Sequence, residues 1–219
     1  MSQTTITAAV ARLHDQMAQQ PPNETMSAFS REQQTLATVT PTGVIQVEQR
    51  LSDAPLLDVH GTDTTLSAAL GDTPAVLVFY RGAWCPYCNI ALRTYQAELV
   101  DELNARGVAL IAISPQKPDG SLTMQEKNGL RFAVLSDPHD TLARDAGILT
   151  APTPEARAAQ LKLGLDLKLV NASETTTLPM PTTLILDPDL TVRWIDVHPD
   201  YTTRTEPAEI LAALDAITS

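Results

Sequence analysis

The chain of 219 residues is 43% hydrophobic and carries a formal net charge of -11 at pH 7. Its length allows one substantial core, and its acidity disfavours nucleic acid and anionic membranes as partners, since both would repel it. No apolar stretch approaches the ~20 residues of a membrane span, and no charged-then-apolar signal segment opens the chain, so we expect a cytoplasmic protein.

The first 46 residues predict a helical extension that precedes the main domain. A first helix is indicated by apolar residues at helical spacing: Ile6, Val10, Leu13 and Met17. Pro21 ends this pattern, and a second, weaker helix is predicted over residues 24–37. The apolar stripes must be buried, either on the same core or against a second subunit in a homodimer. We favour the same core.

The main domain, predicted over residues 47–219, alternates strands and helices in the manner of an α/β protein. Apolar strands over residues 75–80 and 108–113 flank a helix over residues 86–106. The remaining elements are predicted as a helix over 122–128, a strand over 132–135, helices over 139–146 and 156–163, strands over 183–186 and 192–197, and a final helix containing Ile210 and Leu214. Continuous apolar strands are buried on both faces, which predicts a central mixed sheet flanked by helices.

The two cysteines, Cys85 and Cys88, lie three positions apart between an apolar strand and a helix. At such a junction the first-turn amides and the positive end of the helix dipole favour the thiolate. The pair therefore favours reversible thiol–disulfide chemistry, which needs no metal and no organic cofactor.

Three other uses of the cysteine pair stay open. A structural disulfide is disfavoured because intracellular thiols are normally kept reduced. Half of a zinc site lacks a second ligand pair with finger-like spacing. Two inert buried cysteines are the plainest alternative.

The order in which the two sulfurs act can be argued from helical geometry. Pro86 suits the first helical position, which makes Cys85 the helix cap, whereas Cys88 begins a stripe that continues through Leu92 and Tyr95. We therefore assign Cys85 as the exposed attacking thiolate and Cys88 as the sheltered resolving thiol. The spacing leaves the reverse order open.

Residues 79–88, with the sequence FYRGAWCPYC, resemble the peroxiredoxin-like branch of the thioredoxin superfamily, the alkyl hydroperoxide reductase and thiol-specific antioxidant proteins. The segment Met180-Pro181-Thr182-Thr183 and the tail from Trp194 to Glu209 carry the same resemblance. It implies a thioredoxin-like fold and an antioxidant oxidoreductase that reduces a hydroperoxide or a disulfide. A thioredoxin-type or low-molecular-weight thiol would restore the electrons.

The resemblance also implies roles for the segment before the predicted strand at residues 183–186. Pro181 matches the position of a cis-proline beside the active disulfide, so we predict a cis bond between Met180 and Pro181. The backbone edge there, with Thr182, would pair with an extended substrate. An ordinary trans proline opening an edge strand is the alternative.

The chain departs from true peroxiredoxins, which place Pro-x-x-x-Thr-x-x-Cys at this junction and use a further arginine to polarise the peroxide. In that alignment Cys88 takes the place of the attacking cysteine, contrary to the helix-cap argument, while Cys85 replaces the threonine and Arg81 the proline. Loss of one preorganised donor typically costs ~10²–10³ in rate. Arg81 is the available substitute, unless it points to solvent.

Two further groups of residues are candidates for supporting roles. Trp84 would shield the cysteines and offer an apolar contact to a partner, although a core tryptophan is nearly as good an interpretation. A salt-bridged turn is predicted for the charged run before the last helix: His198, Asp200, Tyr201 and Arg204. The alternative to an enzyme is a redox-switch or protein-interaction module of thioredoxin fold with little turnover.

Overall fold

The structure, a computed structural model, describes residues 5–21, 23–118 and 124–218. Within these residues, one seven-stranded mixed sheet has the order β2-β1-β5-β4-β3-β8-β9. Its strands are β1 (Pro55–Leu57), β2 (Asp63–Thr65), β3 (Ala75–Phe79), β4 (Ala109–Ser114), β5 (Ala133–Ser136), β8 (Thr182–Leu186) and β9 (Val192–Val197). A separate pair joins β6 (Leu149–Thr150) to β7 (Leu178–Pro179).

The predicted α/β architecture is confirmed. Strands β3, β4 and β5 are parallel, whereas β8 runs antiparallel to β3 and forms the closing hairpin with β9. The helices are α1 (Ile6–Ala18), α2 (Glu24–Leu36), α3 (Leu66–Leu70), α4 (Pro86–Glu98), α5 (Val100–Ala105), α6 (Met124–Asn128), α7 (Thr141–Asp145), α8 (Pro154–Lys162), α9 (Leu167–Val170) and α10 (Pro207–Thr218).

The central strand β3 is buried on both faces, as its continuous apolar sequence predicts. Val76 and Val78 face a core that contains residues of α1, α4, α5 and α10. Leu77 and Phe79 face a second core, which α3 and α7 cover. The strand is thereby fixed between two helical layers, and its carboxyl end delivers the loop that carries the cysteines.

The predicted elements differ from the structure in several places. The helix predicted over residues 86–106 is divided at Leu99, whose φ of -120° separates α4 from α5. The hairpin β1–β2 has no counterpart in the prediction, because three-residue strands are too short to show a clear alternation. The helix predicted over residues 122–128 begins outside the described residues. Within them, α6 forms the rest of this helix.

The N-terminal helices pack on the main domain, as favoured above. Ile6 and Val10 are buried in the core formed with α4 and α10. The Glu206 carboxylate, at the start of α10, accepts hydrogen bonds from the backbone N–H groups of Ile6 at 2.9 Å and Thr7 at 2.8 Å. The first half of the α1 stripe is thus buried within the chain, and the homodimer stays a prediction. The division at residue 46 stays a prediction.

Among the described residues, none of the helices combines the length and apolar character needed to cross a membrane.

Candidate active site

The loop after β3 brings the two cysteines to the start of α4. Cys85 is the N-cap residue, and Pro86 is at the start of the helix, as predicted. Gly82 in this loop has φ of 150°, and a Cβ atom there would lie 2.5 Å from Nε1 of Trp84. Glycine is thus required for the path that the chain takes between the strand and the cap.

The expected exposure of Cys85 is wrong. Its side chain is 1% exposed, and that of Cys88 is 0% exposed. Both are free thiols. Helices α1 and α2 cover this end of α4, and Cys85 lies in the wall of a cavity that they form with the main domain. The cap position of Cys85 could be predicted from the local sequence. Its burial could not, because the covering helices α1 and α2 are far from it in the chain.

The sulfur of Cys88 is held by two nitrogen donors. Nη2 of Arg204 donates to it at 3.1 Å, and the backbone N–H of Arg81 donates at 3.4 Å. Nη1 of Arg204 donates to the carbonyl oxygens of Tyr201 at 2.6 Å and Thr203 at 2.5 Å, which orients the guanidinium. Charge-assisted donors of this kind stabilise a thiolate.

The two sulfurs differ in acidity because their contacts differ. Burial opposes ionisation of Cys88, but a hydrogen bond from the Cys85 thiol and the charge of Arg204 outweigh burial and hold the pKa of Cys88 well below its usual value. At Cys85, burial acts together with the hydrogen bond to Cys88 and the charge on Cys88, and raises the pKa well above its usual value. The arrangement therefore favours a Cys88 thiolate beside a neutral Cys85 thiol.

Arg81 is buried, contrary to the alternative that it points to solvent. Its guanidinium carbon lies 3.8 Å from the ring centre of Tyr201 and 5.3 Å from that of Trp84. These distances are those of cation–π contacts. The charge of Arg81 also lowers the pKa of Cys88, by less than that of Arg204 does.

The N-terminal extension is hydrogen-bonded to the residues around the cysteines. The Tyr201 hydroxyl donates to the Glu32 carboxylate of α2 at 2.9 Å, and the same carboxylate accepts from the N–H of Thr153 at 2.7 Å. In α1, Nε2 of His14 lies 3.0 Å from the hydroxyl of Tyr87. Both predicted helices of the extension therefore contact the site.

The predicted cis bond before Pro181 is wrong, since the described residues contain no cis peptide bond. The Pro181 carbonyl accepts from the N–H of His198 at 2.8 Å, and the N–H of Met180 donates to the carbonyl of Ile148 at 2.8 Å. The backbone edge expected to bind a substrate is thus occupied by the chain itself. The hydroxyl of Thr182 donates to the Met180 carbonyl at 2.9 Å, and Thr182 pairs with Phe79 in the sheet.

The tail before α10 differs from the predicted salt-bridged turn. Nε2 of His198 does lie 2.8 Å from Oδ2 of Asp196. Arg204 instead contacts Cys88, and Tyr201 lies between Arg81 and Glu32. Sequence reasoning singled out this run but assigned it no chemistry. The sequence offers one signal for these roles: an arginine and an aromatic residue occur in an otherwise polar run before the last helix.

The sheet is thioredoxin-like, and two neighbouring thiols lie at the start of the helix that follows its central strand. The chain belongs to the AhpC/TSA family, whose model matches residues 47–195. The resemblance inferred from the cysteine loop is thereby confirmed. The match leaves out α1, α2, Tyr201 and Arg204.

Individual relatives agree with this family. The chain is 31% identical over 110 residues to the thioredoxin-like protein AAED1, chloroplastic, of Arabidopsis thaliana, a match that covers 48% of this chain and 44% of that protein. The chain spans about half the length of the curated relatives it matches, 44% to 56%.

Solved structures share the fold. Peroxidoxin BcpB of Mycobacterium tuberculosis superposes with a TM-score of 0.60 at 23% identity, over 80% of this chain and 99% of that one. Reduced Prx3 of Vibrio vulnificus in complex with hydrogen peroxide gives 0.62 at 20% identity, over 78% and 99% of the two chains.

Proposed function

We propose that this protein is a thiol peroxidase in which Cys88 attacks a hydroperoxide. The observation that carries the proposal is the hydrogen bond that Nη2 of Arg204 donates to the Cys88 sulfur at 3.1 Å. The thiolate is the nucleophilic form of cysteine. Family membership supports the same chemistry. This order reverses the one predicted from the helix cap.

The proposed reaction has two steps that balance. The Cys88 thiolate attacks the outer peroxide oxygen, the O–O bond breaks, and the leaving alkoxide takes a proton to become an alcohol or water, while Cys88 becomes a sulfenic acid. Oxidation removes the negative charge of Cys88, so Cys85 can lose its proton; its thiolate attacks the sulfenic sulfur, a disulfide forms, and the hydroxide leaves as water with that proton.

Two positive charges serve the first step. Arg204 holds the thiolate, and Arg81 lies beside both aromatic rings at the same end of the helix. Negative charge moves from sulfur to the leaving oxygen as the O–O bond breaks. Fixed cations near that path stabilise the transition state without reorganisation. In this proposal Arg204 is the main arginine of the site, a role that the sequence analysis had assigned to Arg81.

A thiol donor returns two electrons by exchange with the disulfide. A thioredoxin-type protein and a low-molecular-weight thiol both meet this requirement, and a cytoplasmic location would supply either. The burial of both sulfurs under α1 and α2 favours the smaller donor unless these helices move.

The test is to trap the first oxidation product. The reduced Cys85→Ser protein, treated with one equivalent of hydrogen peroxide and a sulfenic acid reagent, should carry the adduct on Cys88 by mass spectrometry. The matched Cys88→Ser protein should carry none on Cys85. An adduct confined to Cys85 would reverse the roles. If neither variant carried an adduct while the unmodified protein still exchanged disulfides, the peroxidase proposal would be wrong. A disulfide reductase or a redox switch would then take its place.

A further inference from the structure

A cavity of about 1220 Å³ lies between the N-terminal helices and the cysteine loop. Its floor contains Cys85, Arg81 and Tyr201, whereas α1 and α2 form its roof. This volume is above the usual range for small-molecule sites, ~300–1,000 Å³, so the cavity has room for an extended ligand. The roof lies outside the part of the chain that the family model matches. The cavity is therefore a feature of this chain's own extension.

The cavity wall away from the floor is mixed, with large apolar side chains between polar ones such as Gln33 and Gln160. Met17 of α1 and Met26 and Phe29 of α2 line it, and Leu163 and Leu165 line it from the segment after α8. Methionine side chains adapt to ligands of varied shape. Such walls favour an aliphatic body over a strongly polar ligand.

The floor presents a buried cation without a hydrogen-bonding partner. Arg81 is 6% exposed, and its guanidinium makes no hydrogen bond or ion pair with any residue that the structure describes. A guanidinium offers five N–H donors in a planar fork that matches a carboxylate. None of the guanidinium nitrogens is fully buried, so the fork reaches the cavity surface, where an anionic ligand can accept hydrogen bonds from it.

The nearby acidic groups do not fill this gap. The Glu32 carboxylate accepts from Tyr201 and from Thr153, and the Cys88 thiolate is bonded by Arg204 and by the backbone of Arg81. Glu24 lines the cavity from the exposed end of α2. The Arg81 side chain is thus available to an anionic group that enters from the cavity.

We propose that this cavity binds an aliphatic monocarboxylate, with the carboxylate on the Arg81 guanidinium and the chain between the methionines of α1 and α2. Bound there, the ligand covers Cys85 and controls access to the thiols. The Cys88 thiolate and a bound carboxylate would both interact with the positive charge of Arg81. Oxidation removes the negative charge of Cys88 and therefore strengthens carboxylate binding. This site is independent of whether the cysteines reduce peroxides.

Calorimetric titration of the full chain with decanoate below its micelle concentration tests the proposal. The Cys88→Ser protein, which lacks the Cys88 thiolate, should bind at least as tightly as the reduced protein. Arg81→Gln should weaken decanoate binding about tenfold or more, as expected for loss of a charge-assisted bond. Arg93→Gln, which makes the same change at an exposed position of α4, is the matched control and should bind as the unmodified protein does.

Varying the chain length and the head group of the ligand distinguishes specific carboxylate binding from general apolar binding. From hexanoate to decanoate the affinity should rise by up to about fourfold per methylene, the value of burying one such group. Decanol should bind weakly and equally to the unmodified protein and to Arg81→Gln. Equal decanoate affinity in these two proteins would overturn the proposal, as would binding that does not depend on chain length. Because the Cys88→Ser protein cannot carry out the proposed peroxidase reaction, either result leaves that function to its own test.

Discussion

The guanidinium of Arg204 donates a hydrogen bond to the sulfur of Cys88 at 3.1 Å, although 116 positions separate the two residues. The arginine follows β9, whereas the cysteine lies in the first turn of the helix that follows β3. The sheet connects them because β3, β8 and β9 are neighbours in it. The tail of the domain thus supplies a second positive charge to the cysteine site, in addition to that of Arg81 in the loop itself.

Replacement of Arg204 by glutamine should raise the pKa of Cys88, because the thiolate loses a charge-assisted hydrogen bond and a nearby positive charge. Thiolate absorbance in the ultraviolet, followed against pH, measures this shift. Reduction of hydrogen peroxide should slow by about 10²–10³. Arg93→Gln controls for the lost charge. An unchanged titration would show that Arg204 does not stabilise the thiolate.

The two cysteines should differ in the pH dependence of alkylation. Only the thiolate reacts, and the pKa of Cys88 is lowered while that of Cys85 is raised. As pH rises from the acid side, iodoacetamide should therefore label Cys88 first, and Cys85 only at higher pH. Peptide mapping of brief reactions on the reduced protein gives both profiles. Labelling of Cys85 at the lower pH would contradict the assignment.

The parts of the fold that local patterns encode could be predicted from the sequence. Continuous apolar runs identified β3 and β4, and Pro86 after Cys85 located the start of α4. The stripe containing Ile6 indicated a helix with a face to bury. Each of these inferences depends on neighbours within one or two turns of chain.

The contacts that define the site are long-range and could not be predicted in this way. Tyr201 and Glu32 are 169 positions apart, and each looks like an ordinary residue of a polar segment. Because the cover over Cys85 comes from the extension, the local argument for an exposed cap was wrong. The family pattern placed the attacking sulfur at Cys88, in agreement with the contacts of Arg204.

Gly82→Ala should disturb the cysteine loop more than an ordinary glycine substitution. The added Cβ would lie 2.5 Å from Nε1 of Trp84 and 2.9 Å from Oε1 of Gln116. Gly107 also has positive φ, but a Cβ atom added there would meet nothing within 4 Å, so Gly107→Ala is a control for backbone strain. Overpacking should cost Gly82→Ala about 1–3 kcal/mol more in the free energy of unfolding. Equal losses in urea titrations would contradict this steric explanation.

Tyr201→Phe should loosen α2 without removing the ring that lies beside Arg81. The substitution deletes the 2.9 Å hydrogen bond to Glu32 and leaves a buried carboxylate with one donor fewer, at a cost of about 1–3 kcal/mol. Hydrogen exchange should increase in α2, and a double-mutant cycle with Glu32→Gln should show coupling. Additive effects of the two substitutions would mean that the hydroxyl and the carboxylate do not stabilise each other.

Ile6→Ala tests whether the N-terminal extension belongs to the core of the same chain. Ile6 is 1% exposed among residues of α4 and α10, so truncation should lower the free energy of unfolding by about 2–5 kcal/mol. Val39→Ala, at a position that is 43% exposed, should change it little. The midpoint of urea unfolding should not depend on protein concentration, because the burial is within one chain. A midpoint that rises with concentration would instead place the stripe of α1 in a subunit interface.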